Sequence, residues 1–508
     1  IMRKYFITML LTLTCSVLIQ AQNVNVSGRV LDSQTKEALA GATVQIVSSG
    51  KGVVTDIDGN FFLNVDGAQA LSIQYLGFEE QLVTVRPGTD IIVQLVSSFQ
   101  LEDVIIEATR AGENTPVTYN NVSRKEIKDQ NFGQDLPYLL RWTPSLVATS
   151  DAGAGVGYTG LRIRGSDATR INVTINGVPV NDSESHGVFW VNMPDLASSI
   201  DNIQVQRGVG TSTNGAAAFG ATVSLQTDLP SREASAEVNN SFGSFNTRKH
   251  TFIVNSGLIN NKWAFQGRLS QIASDGYIDR ARADLQSYFL SGGYYGKKTV
   301  LKALVFGGKE VTFQSWFGTP EARLTNDQEG LEAVASNNGY SDEQRANLFN
   351  SGRTFNFYLY DNQVDNYNQD HYQLHLSQQL SENLTGNVSF HYTYGRGFFE
   401  EFRDGEDLED YNISPITIGG ETITETDLIR RRWLDNDFYG LTYSLDYNLN
   451  KGSNILIGGA YNRYLGDHFG EVIWAQIAGD SNIRDRYYFS DATKKDINVY
   501  TKENFNFN

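Results

Sequence analysis

From residue 230 onward, apolar and polar positions alternate with a period of two. Tyr372, Leu374 and Leu376 are followed by Val388, Phe390, Tyr392 and Tyr394, with His371, Gln373, His375 and then Asn387, Ser389, His391 and Thr393 between them. Tyr439, Leu441, Tyr443, Leu445, Tyr447 and Leu449 repeat the pattern around Gly440, Thr442, Ser444, Asp446 and Asn448. That period predicts strands with one apolar face. The connections alternate in length: Ser381-Glu382-Asn383 and the stretch 450–454 are short, whereas 395–435 is predicted to be a long loop with 11 carboxylates and 5 arginines. A soluble sandwich alternates in the same way. An apolar face rich in Tyr and Phe, strands of roughly ten residues and alternating turn lengths point instead to a transmembrane β-barrel.

The first part of the chain predicts two smaller units. Residues 22–97 hold short strand candidates at 26–31, 42–47, 52–55, 60–65, 70–75 and 91–96, with turn residues between them, which reads as a small β-sandwich. Residues 111–229 mix helix signals, including the capping box Ser123-Arg124-Lys125-Glu126, with Gly-rich turns and strands at 171–175 and 203–206, and read as an α+β unit. The fold class is therefore mainly β.

Composition sharpens this division. Residues 1–229 hold 15 aromatic side chains and residues 230–508 hold 44, as though the two parts met different solvents. The 508 residues carry 41 Lys and Arg against 58 Asp and Glu, a net charge of −17, which excludes a nucleic-acid binder that would need cations against phosphate. After residue 21 no uncharged apolar stretch reaches the roughly 20 residues a membrane helix needs. The single apolar run is N-terminal: Met2-Arg3-Lys4, the uncharged 5–19 and Ala21-Gln22 form the pattern of a cleaved secretory signal over 1–21. Cys15, the only cysteine, lies inside it, and Leu13-Thr14 before it fits poorly with lipoprotein processing. An exported chain without thiols has no disulfide, thiolate metal site or cysteine nucleophile.

No catalytic constellation emerges. Thr55-Asp56-Ile57-Asp58-Gly59-Asn60 resembles a calcium loop, but Gly67 stands where the twelfth-position carboxylate belongs, so a hairpin turn is expected. His468-Phe469-Gly470-Glu471 has zinc-ligand spacing without a third histidine downstream. The runs Gly153-Ala154-Gly155-Val156-Gly157 and Gly208-Val209-Gly210 lack the context of a phosphate cradle and read as tight turns. An enzyme, a cofactor and a resident metal are not expected. Between the two N-terminal units, Glu102-Asp103-Val104-Ile105-Ile106-Glu107 is a short acidic, β-branched segment, either a linker strand or one suited to strand addition by a partner's sheet edge.

In sequence order, the signal, sandwich, acidic box, Gly-rich α+β unit and aromatic barrel resemble TonB-dependent outer-membrane receptors with an N-terminal carboxypeptidase-regulatory-like domain. The α+β unit carries the resemblance most specifically, in Leu136-Pro137-Tyr138-Leu139-Leu140, Thr143-Pro144-Ser145-Leu146-Val147, Arg162-Ile163-Arg164-Gly165, Ile175-Asn176-Gly177-Val178-Pro179 and Ile203-Gln204-Val205-Gln206-Arg207-Gly208. The resemblance implies domains at 22–97 (regulatory-like sandwich), 98–110 (Ton box and linker), 111–229 (plug) and 230–508 (barrel). It further implies location in the outer membrane, among its lipids, and import of a small-molecule substrate driven through TonB by the ExbB-ExbD motor. Glu102, Asp103, Val104, Ile105 and Ile106 would contact TonB. Asn181, Asp182, Ser183, Glu184, Ser185, His186, Phe189 and Trp190 would form an apical substrate loop, and Arg164 and Arg207, followed by Gly165 and Gly208, would make plug-to-wall ion pairs.

A complete barrel of this type has about 22 strands, which residues 230–508 cannot hold beside a long loop, so the sequence is expected to be part of a longer protein. The plug has Val173-Thr174-Ile175-Asn176-Gly177 where the glycan-importing SusC-like branch has a tyrosine-valine-isoleucine-aspartate-glycine run. The expected substrate is thus a ferric siderophore or other metal chelate, with import of an oligosaccharide or peptide as the alternative and a non-transporting outer-membrane binding protein or adhesin as the second. The acidic loop counts against an anionic chelate, since like charges repel.

Overall fold

The computed structural model describes residues 25–505 apart from 34–35, 76–77, 97–109, 113–114, 116, 211–218, 230, 232, 261, 297 and 451–452. The signal segment and the acidic box at Glu102–Ile106 therefore lie outside the described residues. The chain divides into two compact units, residues 1–100 and 101–508.

The first unit is a two-sheet β structure. Its strands are β1 (Asn25–Asp32), β2 (Thr43–Ile46), β3 (Gly52–Val54), β4 (Asn60–Asn64), β5 (Gln69–Gln74), β6 (Gln81–Val85) and β7 (Asp90–Leu95). One sheet has the order β4-β1-β7 and the other β3-β2-β5-β6. Alternate residues such as Val26, Val30, Val44, Phe61, Leu71, Ile73 and Val93 fill the space between them. Gly28 is required where β1 crosses Phe61, because a Cβ there would sit 2.5 Å from the Ile91 carbonyl oxygen. The acidic turn is a hairpin: Asp56 accepts from the amides of Asp58 and Asn60 at 2.9 and 2.8 Å, and Gly59 takes φ +76°. Strand β6 lacks a counterpart among the expected strands. Its polar neighbours and shallow burial weaken the apolar signal.

The second unit begins with the α+β plug. Strands β8 (Thr118–Ser123), β9 (Leu146–Ser150), β10 (Thr159–Ile163), β11 (Ile171–Ile175), β12 (Val178–Pro179), β13 (Ile200–Arg207) and β14 (Ala221–Thr227) form a mixed sheet of order β12-β11-β14-β13-β8 and a separate β9-β10 hairpin. Every residue of β11 and β14 is buried, as expected of a parallel pair covered on both faces. The helix Arg124–Gln130 starts at the predicted box: Ser123 accepts from the Glu126 amide, and Glu126 accepts from the Ser123 amide at 2.8 Å. Ser123→Ala is expected to lower plug stability by about 1 kcal/mol, measured as a shift in the urea midpoint of plug protection from trypsin. An unchanged midpoint would show that the cap is redundant. The glycines at 153, 155 and 157 all take positive φ and make turns.

The plug packs against one ten-stranded antiparallel sheet: β15 (Ser235–Phe242), β16 (Arg248–Asn255), β17 (Trp263–Ser274), β18 (Ala283–Tyr295), β19 (Thr299–Phe313), β20 (Val364–Gln379), β21 (Leu384–Asp407), β24 (Glu425–Asn450), β25 (Ser453–Ala475) and β26 (Arg486–Asn504). A small hairpin, β22 (Ile416–Ile418) and β23 (Glu421–Ile423), lies between β21 and β24. Phe289, Leu304 and Phe306 of the sheet join the plug's own core around Ile171, Val173, Ile203 and Val223.

On this sheet the usual rule of burial is inverted. Leu374 is 42% exposed while its neighbour Gln373 is 5% exposed, and Phe390 and Leu376 are exposed while His375, Ser377, Ser389 and His391 are buried. Apolar side chains outside and polar ones inside fit hydrocarbon around the wall and a polar lumen within it. Connections at one end are short (256–262, 296–298 and 380–383), whereas the opposite end carries 314–363, 408–424 and 476–485. That long-loop end includes helices Glu321–Thr325, Gln328–Asn337 and Asp342–Asn350, packed around Leu331, Leu348 and Phe355.

One expectation is corrected here. Most of 395–435 is strand, since β21 and β24 run for 24 and 26 residues and pair nearly throughout. Beyond the apolar band two successive facing pairs are charges of opposite sign: Arg431 lies 2.7 Å from Glu400, and Arg430 lies 2.7 Å from Glu401. Cross-strand pairs of this kind hold a ribbon together in water, where alternation of apolar residues serves no purpose.

Candidate functional site

The apical loop follows β12 and is shaped by its own side chains. Asn181 accepts from the Val173 amide at 2.8 Å and donates to the carbonyls of Ile171 and His186 at 2.8 and 2.9 Å, which closes the loop onto β11. Asp182 accepts from the amides of Glu184 and Ser185 at 3.1 and 2.6 Å and from the Ser185 hydroxyl, so Ser185 faces back into the turn. His186 completes the turn in the left-handed region with φ 63°.

Two residues of the loop reach the wall. Glu184 accepts from the Tyr464 hydroxyl at 3.0 Å and lies 2.9 Å from His468 Nε2, and the Ser183 carbonyl accepts from Lys494 at 2.7 Å. His468 thus faces the plug, while Glu471 accepts from the Trp433 indole at 3.0 Å. Phe189 is half-exposed and meets the Tyr158 ring edge-on at 6.5 Å. Trp190 departs from the expected ligand-facing role: it is 4% exposed and packed in the plug core, where its ring supplies apolar area.

Between this loop and the inner faces of β19, β20, β21, β24 and β25 lies a cavity of about 110 Å³. Asp182, Glu310 and Asp365 line it, and its described lining holds no Lys or Arg. Glu310 accepts from the Thr312 hydroxyl at 2.9 Å, and Asp365 accepts from the Tyr158 hydroxyl. Burial, with Glu310 and Asp365 close by, pushes the Tyr158 phenol well above its ordinary value, so it remains a donor. Behind it, burial pushes the Asp135 carboxyl up to about 8 despite a 3.0 Å hydrogen bond from Thr159. Glu310 and Asp365 were not among the expected site residues. Their only signal is parity, as carboxylates at lumen-facing positions of barrel strands.

The attachment of plug to wall also differs from expectation. Among the described residues Arg164 and Arg207 make no ion pair with the wall: Arg164 donates to the Arg207 carbonyl at 3.0 Å, and Arg207 to the Pro144 carbonyl at 3.3 Å, both within the plug. Arg164 and the glycines 165 and 208 all take positive φ, so these segments are turns whose guanidinium groups satisfy nearby carbonyls. The buried ion pairs run the other way, with the carboxylate on the plug, whereas the exposed pair of Lys128 with Glu237 of β15, 2.6 Å apart, keeps its cation on the plug. Asp195 lies 2.6 Å from Lys249 and 3.3 Å from Arg268, and also accepts from Ser198 and Thr251 at 2.6 and 2.7 Å. Burial opposes its ionisation, but Lys249 and then Arg268 outweigh that and hold the carboxyl well below the usual range. Within the plug Arg124 lies 2.8 Å from Asp228, and Gln266 of β17 donates to the same Asp228 at 2.8 Å, which ties it to the wall.

Comparison with known proteins agrees with this architecture. Residues 111–222 match the TonB-dependent Receptor Plug Domain and residues 26–106 the CarboxypepD_reg-like domain. TonB-dependent receptor P3 of Formosa agariphila is 34% identical over 90 residues, which are 17% of this chain and 9% of that protein. TonB-dependent receptor P26 of the same organism is 26% identical over 145 residues, 28% of this chain and 14% of that protein. Among solved structures, FpvA of Pseudomonas aeruginosa, in complex with a heterologous pyoverdine and iron, gives a TM-score of 0.57 at 14% identity, over 78% of this chain and 50% of that one. The copper transporter OprC gives 0.54 at 12% identity over 75% and 52%. BauA of Acinetobacter baumannii, a ferric preacinetobactin receptor, gives 0.53 at 12% identity over 77% and 55%. At these identities the solved structures share the fold. The chain spans about half the length of those receptors, and the matched segments are a small share of the two curated relatives.

Proposed function

Since the chain belongs to the TonB-dependent receptors, β-barrel proteins of the outer membrane, and carries their plug, we propose that it captures a scarce small molecule at its long-loop end and imports it actively. The domain limits and roles expected from the sequence are part of this reading. TonB would pair with the box at Glu102–Ile106, and the ExbB-ExbD motor would supply the force. The transported class we favour is a ferric siderophore or other metal chelate. The two siderophore receptors and the copper transporter that share this fold support it, as does the absence of the SusC-like run in β11. The family transports and does not catalyse, and we read this chain in the same way.

The observation that carries the proposal is the plug seated in the sheet, with its apical loop reaching both a lumen cavity and the wall. An open pore or an adhesin has no need of a plug coupled to an energy-transducing box. Uptake of ferric chelates and oligosaccharides is to be compared in cells expressing the receptor and its Ile105→Pro variant, because proline removes a backbone donor that strand pairing uses. Uptake of the substrate is expected to fall to the level of cells lacking TonB while surface binding persists. Transport indifferent to the proline would remove the import reading and leave an adhesin or a passive channel.

A further inference from the structure

The apex cavity also constrains the charge of what enters it, an inference that rests on the import reading above. A buried carboxylate, Glu310, and a half-buried one, Asp365, line it together with Asp182, and no described lining residue is a Lys or Arg. Leaving such charges unpaired in a protein interior is costly, so a cation is expected to enter with them. The nearby cations are engaged elsewhere. Arg432 on β24 is held against the Phe399 and Tyr488 rings with its Nε donating to the Tyr488 hydroxyl at 3.2 Å, and Lys494 on β26 donates to the Ser183 carbonyl.

A second and independent observation points the same way. Three nitrogen or oxygen atoms of lining residues have no hydrogen-bond partner among the described residues: Nε2 of His371, Oδ1 of Asn192 and Oδ1 of Asn436. His371 and Asn192 are more than nine-tenths buried. With the His371 Nδ1 hydrogen-bonded to Thr393 Oγ1 at 3.0 Å, a proton placed on Nδ1 leaves Nε2 an acceptor. The cavity therefore presents carboxylates and neutral acceptors, and its remaining walls include the rings of Tyr367, Phe399 and Phe438. Acceptors of every kind with aromatic faces suit a group that is all donor and positively charged.

We infer that the plug apex of this receptor binds the protonated amine or guanidinium group of its substrate, so that the imported molecule carries an organic cation on the face it turns toward the plug. A ferric chelate would meet this requirement through a cationic side arm. A purely anionic chelate or a neutral glycan would leave Glu310 and Asp365 unpaired.

The full-length receptor, purified in detergent, is to be titrated calorimetrically with spermidine, with its fully N-acetylated counterpart, with ferric citrate and with calcium or zinc chloride alone. Saturable binding of spermidine, absence of binding by the acetylated compound, and affinity at least about tenfold weaker in Glu310→Gln are expected, since that variant loses a charged hydrogen bond to the ammonium group. Asp365→Asn should act in the same direction, and Asp370→Asn, an outward carboxylate on the same strand, should not. If Glu310→Gln fails to fold, Asp365→Asn and the acetylation pair on the unaltered receptor still decide the matter. The inference is overturned if spermidine does not bind, if the acetylated compound binds equally well, if the two variants bind as the parent does, or if the metal salts alone give the Glu310-dependent signal. Loss of uptake in Ile105→Pro without spermidine binding would overturn the cation site and leave import standing. Glu310-dependent binding with uptake indifferent to the proline would overturn import and leave the site.

Discussion

Replacing Asp195 by alanine is expected to cost about 3–5 kcal/mol of the plug's attachment to the wall, because it strands two buried cations. Lys249 and Arg268 are 3% and 2% exposed at their side chains, and Asp195 is their shared counter-charge. Arg268 retains the hydroxyls of Ser199 and Ser287 at 2.9 and 3.1 Å, and Lys249 retains Ser198 at 3.0 Å, but these neutral partners cannot balance charge. The measurement is the urea concentration at which trypsin gains access to the plug while the wall remains folded. Removing all three charges together, as Asp195→Leu, Lys249→Met and Arg268→Met, should recover most of the loss, since a buried ion cluster replaced by apolar groups of similar size is often neutral or better. A single Asp195→Ala variant as resistant as the parent would mean that the cluster does not hold the plug. The pH dependence has a definite sign. A carboxyl whose value is depressed on folding contributes fully above its unfolded value, near 3.9, and progressively less as pH falls below it toward the folded value. Plug attachment through Asp195 should therefore be insensitive to pH from neutrality down to about 5 and weaken below about 4.

This cluster was beyond sequence reasoning for a physical reason. Asp195 is separated from its partners by 54 and 73 positions along the chain, and nothing local to any of the three residues requires the others. Arg164 and Arg207 looked more suitable because they stand beside glycines in the motif segments, but glycine there marks turns, and turns offer carbonyls to satisfy a guanidinium. A better indicator was parity. Lys249 and Arg268 share a face with Thr251 and Ser270 and alternate with Phe252 and Leu269, so they point into the lumen, where a buried cation needs a carboxylate from the plug. The same test selects Glu310 and Asp365 in the apex cavity.

Local signals were more legible than distant ones. The box at Ser123 begins a helix as expected, and the same grammar at Ser341, with Gln344 three residues on, begins a helix in the long loop that was not foreseen. In the segment expected to be an apical substrate loop, the side chains divide between bracing the turn (Asn181, Asp182, Ser185), touching the wall (Glu184) and filling the core (Trp190). That division depends on which way each side chain turns, and an irregular loop has no period to reveal it.

Where a period exists it carries a quantitative consequence. Leu374→Arg is expected to destabilise the folded barrel by roughly 2–4 kcal/mol in a lipid bilayer, whereas Asn368→Arg on the same strand should cost only about 0–1 kcal/mol. Both positions face outward, and six residues of strand separate them by about 20 Å. Leu374 lies in the apolar band, in register with Ala303 and Phe390. Asn368 belongs to an outward polar row that crosses the sheet through His250, Gln271, Gln286, Lys309 and Arg396, each opposite the next. Such a row is where hydrocarbon gives way to headgroups, so a guanidinium there keeps its hydration, while one at Leu374 must deform the bilayer or snorkel past its neighbours. Reversible urea unfolding from phospholipid vesicles measures both costs. Equal costs at the two positions would contradict a membrane boundary between them, and a small cost at Leu374 would mean that this face meets water or another protein, with the inverted burial of Leu374 and Gln373 then requiring a different solvent outside the wall.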